Sequence, residues 1–242
     1  MKPLIVANWK CNPTTAKEAK QLFDAVKKSV KGSKAEIVIC PPFVYLPLRK
    51  GLPLGAQNAF YKEKGAFTGE VSPLMLKDLK VKYVILGHSE VRKYLNETDE
   101  MINQKIKAVL KENLIPILCV GENEGENKFE VLQKQISKAL DGVSSVKGQM
   151  SNVIIAYEPV WAIGTVRNCS VEETADSFAF IKKIISKLYG EKAAESAKIL
   201  YGGSVKAENS GSYVREAGAN GLLVGGASLN ARDFTSIVKS VE

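Results

Sequence analysis

The chain has 242 residues, 45% hydrophobic and 25% charged, long enough to bury a large core as one α/β barrel or as two smaller domains. Four widely separated cysteines (Cys11, Cys40, Cys119 and Cys169), no C-x-x-C pair and a single histidine argue against a metal site or a disulfide framework. The net charge of +8 comes from scattered residues, with Lys27-Lys28 and Lys182-Lys183 inside helical patterns and no basic run interleaved with aromatics, so no nucleic-acid partner is expected.

Taken in order, the first residues hold too few apolar positions for a signal-peptide core, and no later run reaches the ~18 needed to span a membrane. A soluble protein of the cytoplasm is the expectation. Apolar or β-branched runs predict strands at Leu4–Ala7, Ile37–Cys40, Leu54–Gln57, Tyr83–Leu86, Ile115–Cys119, Val153–Tyr157, Ile199–Tyr201 and Gly221–Val224. Between them, apolar residues recurring at three and four steps predict helices at Ala16–Val30, Asp99–Glu112, Phe129–Leu140, Thr174–Tyr189 and Arg232–Val238. Pro41, Pro42, Pro47 and Pro53 leave the stretch between the second and third strands irregular. Eight near-continuous apolar strands alternating with helices fit a closed, parallel (β/α)8 barrel forming a single domain over residues 1–242. An open doubly wound sheet is the rival, but it usually carries a Gly-x-Gly-x-x-Gly turn after its first strand, where this chain has Asn8-Trp9-Lys10.

Barrel enzymes gather their chemistry at the carboxyl ends of the strands. His88 follows such an end after Gly87, with Ser89 as the expected helix cap and Glu90 in the first turn. Asn8 and Lys10, Glu158, Ser204, and Gly225-Gly226 stand at the ends of four other strands. Together they would supply a base, an imidazole, a cation and two glycine-rich turns whose N–H groups can hold a phosphate dianion.

The successive segments Ala7-Asn8-Trp9-Lys10, Ala56-Gln57-Asn58, Gly65 to Glu70, Gly87-His88-Ser89-Glu90, Cys119 to Glu122, Ala156-Tyr157-Glu158-Pro159-Val160-Trp161-Ala162-Ile163-Gly164-Thr165, Tyr201 to Val205 and Leu223 to Leu229 closely resemble the triosephosphate isomerase family, in family order over nearly the whole chain. The resemblance implies a TIM barrel that interconverts dihydroxyacetone phosphate and D-glyceraldehyde 3-phosphate in glycolysis and gluconeogenesis, through an enediol or enediolate, with no cofactor and no metal. A barrel that binds a phosphorylated metabolite without turning it over is the alternative, and the intact set Lys10, His88 and Glu158 speaks against it.

Carried onto these positions, the family's roles make Glu158 the base, His88 a neutral electrophile and proton shuttle, and Lys10 the electrostatic stabiliser. Asn8 would orient the substrate and Lys10, while Glu90 would either assist proton transfer or hold Lys10 by pairing. Gly164, Ser204, Gly225 and Gly226 would bind the phosphate. Cys119 would pack near the base as a small buried hydrophobe. Pro159 to Cys169 corresponds to the family's mobile lid, and Gln57–Glu70 to the loop through which two copies pair as a homodimer. Three departures stand out. Val166-Arg167-Asn168-Cys169-Ser170 replaces the family's usual Gly-Lys-Thr-Ala-Thr, so altered lid closure is expected; Val91 replaces an arginine while Arg92 remains; and Cys11 replaces a methionine at the implied interface.

Overall fold

The structure, a computed structural model, describes residues 2–48, 51–143, 150–165 and 167–242. Eight strands close into one barrel in the order β1 to β8, every neighbouring pair parallel. They are β1 (Leu4–Asn8), β2 (Glu36–Cys40), β3 (Leu54–Ala56), β4 (Val81–Leu86), β5 (Ile115–Val120), β6 (Ile154–Tyr157), β7 (Lys198–Tyr201) and β8 (Gly221–Val224). All eight predicted strands are present, β8 with the predicted bounds and the other seven with one end displaced by one or two residues.

Around them, among the described residues, run α1 (Ala16–Ser29), α2 (Pro73–Asp78), α3 (Ser89–Leu95), α4 (Asp99–Lys111), α5 (Lys128–Ala139), α6 (Val171–Tyr189), α7 (Glu191–Ser196), α8 (Ala207–Arg215) and α9 (Ala231–Ser240). The five helices predicted from periodicity are α1, α4, α5, α6 and α9. Short 3-10 turns at Phe43–Leu48 and Gly226–Leu229 fill the irregular stretch after β2 and the turn after β8. No described helix is long and apolar enough to cross a membrane.

Alternation along the strands separates two apolar layers. Leu4, Val6, Val38, Tyr83, Ile85, Ile117, Ile154, Ala156, Leu200 and Leu223 fill the barrel. Ile5, Ala7, Ile39, Val84, Leu86, Leu118, Ile155, Tyr157 and Leu222 face outward under the helices, packing with Phe23, Ile102, Ile106, Leu132, Ile181 and Phe234. At the amino-terminal end the barrel is stoppered by charge: Glu36 accepts from the Lys82 ammonium at 2.8 Å and the Tyr83 hydroxyl at 2.6 Å. Burial alone would raise the Glu36 carboxyl, but those two donors outweigh it and hold it below the ordinary carboxylate value.

The same period of two delivers side chains to the opposite mouth. Asn8 continues the inward series Leu4, Val6, and Glu158 continues Ile154, Ala156, so both polar groups point into the barrel axis one step beyond the apolar filling.

Candidate active site

His88 reaches the mouth by a different route. Had β4 continued, position 88 would share the outward face of Val84 and Leu86; Gly87, at φ 68°, ends the strand and turns the chain. His88 is then the N-cap of α3, its own Nδ1 accepting the Glu90 N–H at 3.2 Å. This corrects the expectation that Ser89 caps the helix: Ser89 is the first helical residue, and the imidazole does the capping. The consequence is chemical, because an Nδ1 that accepts a backbone N–H carries no proton, leaving the neutral ring protonated on Nε2. Nε2 lies 3.2 Å from Glu158 Oε1.

Glu158 is 2% exposed and His88 6%. The carboxylate's second oxygen accepts the Ser89 N–H at the start of α3, 3.3 Å away, so both of its oxygens face hydrogen-bond donors. Its backbone is tied to the neighbouring strand, the Glu158 N–H donating to the Val120 carbonyl at 2.8 Å. Beneath it sits Cys119, wholly buried, whose thiol is pushed well above the usual range by burial first and by the Glu158 carboxylate second. Such a thiol is a packing group, as the sequence reading had it.

Lys10 stands just beyond β1 at φ 53°, a left-handed conformation uncommon for a side-chain-bearing residue. Two side chains hold it there: Asn8 Oδ1 accepts the Lys10 N–H at 3.0 Å, and Gln57 Nε2 donates to the Lys10 carbonyl at 2.9 Å and to the Cys40 carbonyl at 2.8 Å. The ammonium pairs with Glu90 Oε1 at 2.6 Å. Glu90 Oε2 is 3.7 Å from His88 Nδ1, beyond hydrogen-bond reach and facing another acceptor, so Glu90's direct partner is Lys10.

Asn8, Lys10, His88, Glu158, Gly164, Ser204, Gly225 and Gly226 all line one cavity of about 350 Å³. Glu90 does not line its wall and stands behind Lys10, paired with the ammonium. A methyl group on Gly225 would lie 3.2 Å from Lys10 Cε, so the cation's stem crosses the loop after β8 directly. The wall also includes Asn12, which no sequence feature singled out, and Gly202, Ile163 and Leu223, which stood within the family segments without a role of their own. Leu223 had a signal, being the inward residue of the last strand; Asn12 and Ile163 lie in loops with no periodicity to read.

The lid tract is anchored at both ends. Trp161 Nε1 donates to Glu122 at 2.8 Å, the Tyr213 hydroxyl donates to the Cys169 carbonyl at 2.6 Å, and Ser204 Oγ donates to the Thr165 carbonyl at 3.4 Å. Arg167 pairs with Glu124 at 2.5 Å and lies over the Trp161 ring. Val166, the hinge departure, lies outside the described residues.

A closed parallel barrel with carboxylate, imidazole and ammonium at its carboxyl-terminal mouth, beside two glycine-rich turns after the last two strands, defines a barrel enzyme equipped for a small phosphorylated substrate. The family model described as triosephosphate isomerase matches residues 3–241. Proteins named triosephosphate isomerase from Alkaliphilus oremlandii and Thermoanaerobacter sp. are each 46% identical over 247 residues, covering 98% of this chain and 98% of theirs. One of the same name from Clostridium tetani is 46% identical over 245 residues, covering 98% of this chain and 96% of its own. The chain therefore belongs to the triosephosphate isomerase family.

Proposed function

We propose that the chain, acting as one catalytic domain, interconverts dihydroxyacetone phosphate and D-glyceraldehyde 3-phosphate with its own side chains alone. The observation that carries this is the meeting of the Glu158 carboxylate and the His88 Nε2–H, 3.2 Å apart, with Lys10 on the wall of the same cavity. Family membership supports the reaction, and the geometry supports the roles proposed for these residues.

Glu158 takes the proton from the carbon beside the carbonyl. The released C–H pair becomes the carbon–carbon double bond, and the carbonyl π pair moves to oxygen, where the Nε2–H of His88 donates. Lys10 stabilises the growing negative charge on that oxygen, held in register by its pairing with Glu90. His88 then recovers a proton from the neighbouring hydroxyl, and Glu158 returns its own to the other carbon. The N–H groups of Gly164, Gly225 and Gly226, with Ser204, grip the phosphate, while Asn8 orients the substrate and closure of Pro159 to Cys169 keeps water from the enediolate. The proposal includes pairing of two copies through Gln57–Glu70 and a cytoplasmic location that brings the enzyme to a diffusible substrate.

Replacing the base by an isosteric amide is the test. Glu158→Gln should lower kcat in a coupled assay by about 10²- to 10⁴-fold, the usual worth of a positioned general base, while still binding a phosphorylated enediolate mimic by calorimetry. A variant retaining most of its rate would show that some other group removes the proton.

A further inference from the structure

Arg92 lies one helical turn after His88 on α3, and its guanidinium is spent in three directions at once. Nε donates to the Gly87 carbonyl at 2.7 Å, Nη1 to Asp99 Oδ1 at 2.6 Å, and Nη2 to the Cys119 carbonyl at 3.3 Å. It thus joins the end of β4, the start of α4 and the end of β5. None of these partners is the substrate cavity, whose lining does not include Arg92.

The Gly87 carbonyl belongs to the peptide that carries His88. That peptide follows a residue at φ 68° and lies past the last strand pairing, of Leu86 with Leu118. The imidazole is also held at its ring, by the Glu90 N–H of α3. Ring and backbone of His88 are therefore both referred to α3, the first through a helix amide and the second through the Arg92 side chain. A methyl at Gly87 would meet Ile102 Cδ1 at 2.8 Å and Arg92 Nη2 at 3.0 Å, so the guanidinium and Ile102 fill this corner beside the peptide.

We infer that Arg92 is a positioning residue: by gripping the Gly87 carbonyl it fixes the setting in which the His88 ring is locked as the Nε2–H tautomer facing Glu158. A planar fork serves three acceptors at fixed angles, which a lysine ammonium on a flexible stem does not. Asp99 neutralises the charge and aims the fork, while the hold on His88 comes from the carbonyl bonds. The inference rests on the proposed role of His88 only for its kinetic part.

The chain's single histidine makes the test clean, because ¹⁵N-labelled imidazole gives signals from one residue alone. The wild type should show one unprotonated and one protonated ring nitrogen. In Arg92→Lys the two signals should move toward each other as tautomers mix, and kcat should fall roughly tenfold to a hundredfold with KM within about twofold, the usual scale for a displaced catalytic group. In a His88→Asn background the same substitution should cost nothing further in kcat, since its route of action is gone. Signals that stay apart in Arg92→Lys, or a kcat loss that simply multiplies with that of His88→Asn, would overturn the inference.

Asp99→Asn keeps both carbonyl bonds of Arg92, so it should lower Tm while the ring nitrogens stay distinct and kcat holds. Tautomer mixing in Asp99→Asn would place control of the ring in the ion pair, again overturning the inference, and this arm is readable even if Arg92→Lys fails to fold. Undiminished kcat in His88→Asn by itself would instead defeat the assignment of the site, leaving the spectroscopic question answered independently.

Discussion

Gly202 and Gly121 both press against Glu158, and they differ in which part of it would have to yield. A Cβ on Gly202 would come 2.9 Å from Glu158 Cγ, whereas one on Gly121 would come 1.7 Å from the Glu158 backbone oxygen. A side chain can swing away; a backbone carbonyl can move only with the main chain, which the Glu158 N–H ties to the Val120 carbonyl. Gly202→Ala should therefore fold with nearly wild-type Tm yet lose about tenfold to a hundredfold in kcat, because the carboxylate is pushed from its place by a few tenths of an ångström. Gly121→Ala should show the opposite pattern, a loss of folded protein seen in the melting curve. Equal kcat in Gly202→Ala and wild type would mean that the carboxylate's resting place does not matter. Residues of this supporting kind were the least legible in the sequence. Lys10, His88 and Glu158 announce themselves as polar groups at strand ends, but Arg92 reaches Cys119, Gln57 reaches Lys10, and Gln135 brackets both backbone groups of Gly121 through contacts that no local spacing encodes.

The long helices were readable because each must bury one stripe against the barrel, and α6 shows how sharply their starts are also written. Ser170 accepts the Glu173 N–H at 3.1 Å while the Glu173 carboxylate accepts the Ser170 N–H at 3.2 Å, a reciprocal cap that closes the lid tract and opens the helix. Ser170→Ala removes one side of it and should cost about 1 kcal/mol in urea unfolding. The backbone N–H of Ser170, with its hydroxyl, holds the Glu173 carboxyl below its ordinary 4.5. A depressed folded value means that this carboxylate's contribution is complete above pH 4.5 and fades as acid protonates it, so the difference between variant and wild type should shrink toward low pH. A gap unchanged from neutral to acid would show that Glu173 takes no part. Of the four described helices that periodicity missed, α2 and α7 span six residues and α3 seven, fewer than two turns, so no periodicity can accumulate, and the nine-residue α8 (AENSGSYVR) has too few apolar residues to mark a stripe. The start of α2 was nonetheless marked by Ser72 capping the Met75 N–H ahead of Pro73 at its first turn.

At the level of the whole molecule, the barrel was legible because parallel strands buried on both faces read as unbroken apolar runs, and eight of them leave closure as the natural arrangement. A face for pairing with another copy was suggested only by family resemblance, since exposure has no signature along the chain. Here the order of strands matters. The first four strands are consecutive neighbours in the barrel, so the loops after them emerge on one side, and that side carries Val44 (72% exposed), Tyr94 and Leu95 (both 68%) and Met75 (52%). These outward apolar side chains lie on the side of the Gln57–Glu70 loop and fit the pairing proposed for it. The Gln57–Glu70 loop among them is held in shape from within: Phe60 packs on Phe67 with ring centres 4.9 Å apart, Phe60 N–H donates to the Val71 carbonyl at 2.8 Å, and Asn58 accepts from Lys105 at 3.0 Å. Its first residue, Gln57, is the one that fixes the strained Lys10 carbonyl. Pairing of two copies across this face would therefore stiffen the turn that presents the ammonium, and loss of pairing should be felt in catalysis. Val44→Asp combined with Met75→Asp alters two outward side chains and leaves the barrel core untouched, so each chain should fold as before. The double variant should sediment as a monomer at concentrations where the wild type sediments as a dimer, because a carboxylate cannot be buried unpaired in an apolar contact. Its kcat should fall on the order of tenfold or more as Lys10 loosens. Full activity in a demonstrated monomer would separate Lys10 from the interface, and a wild type that is already monomeric would remove the pairing altogether.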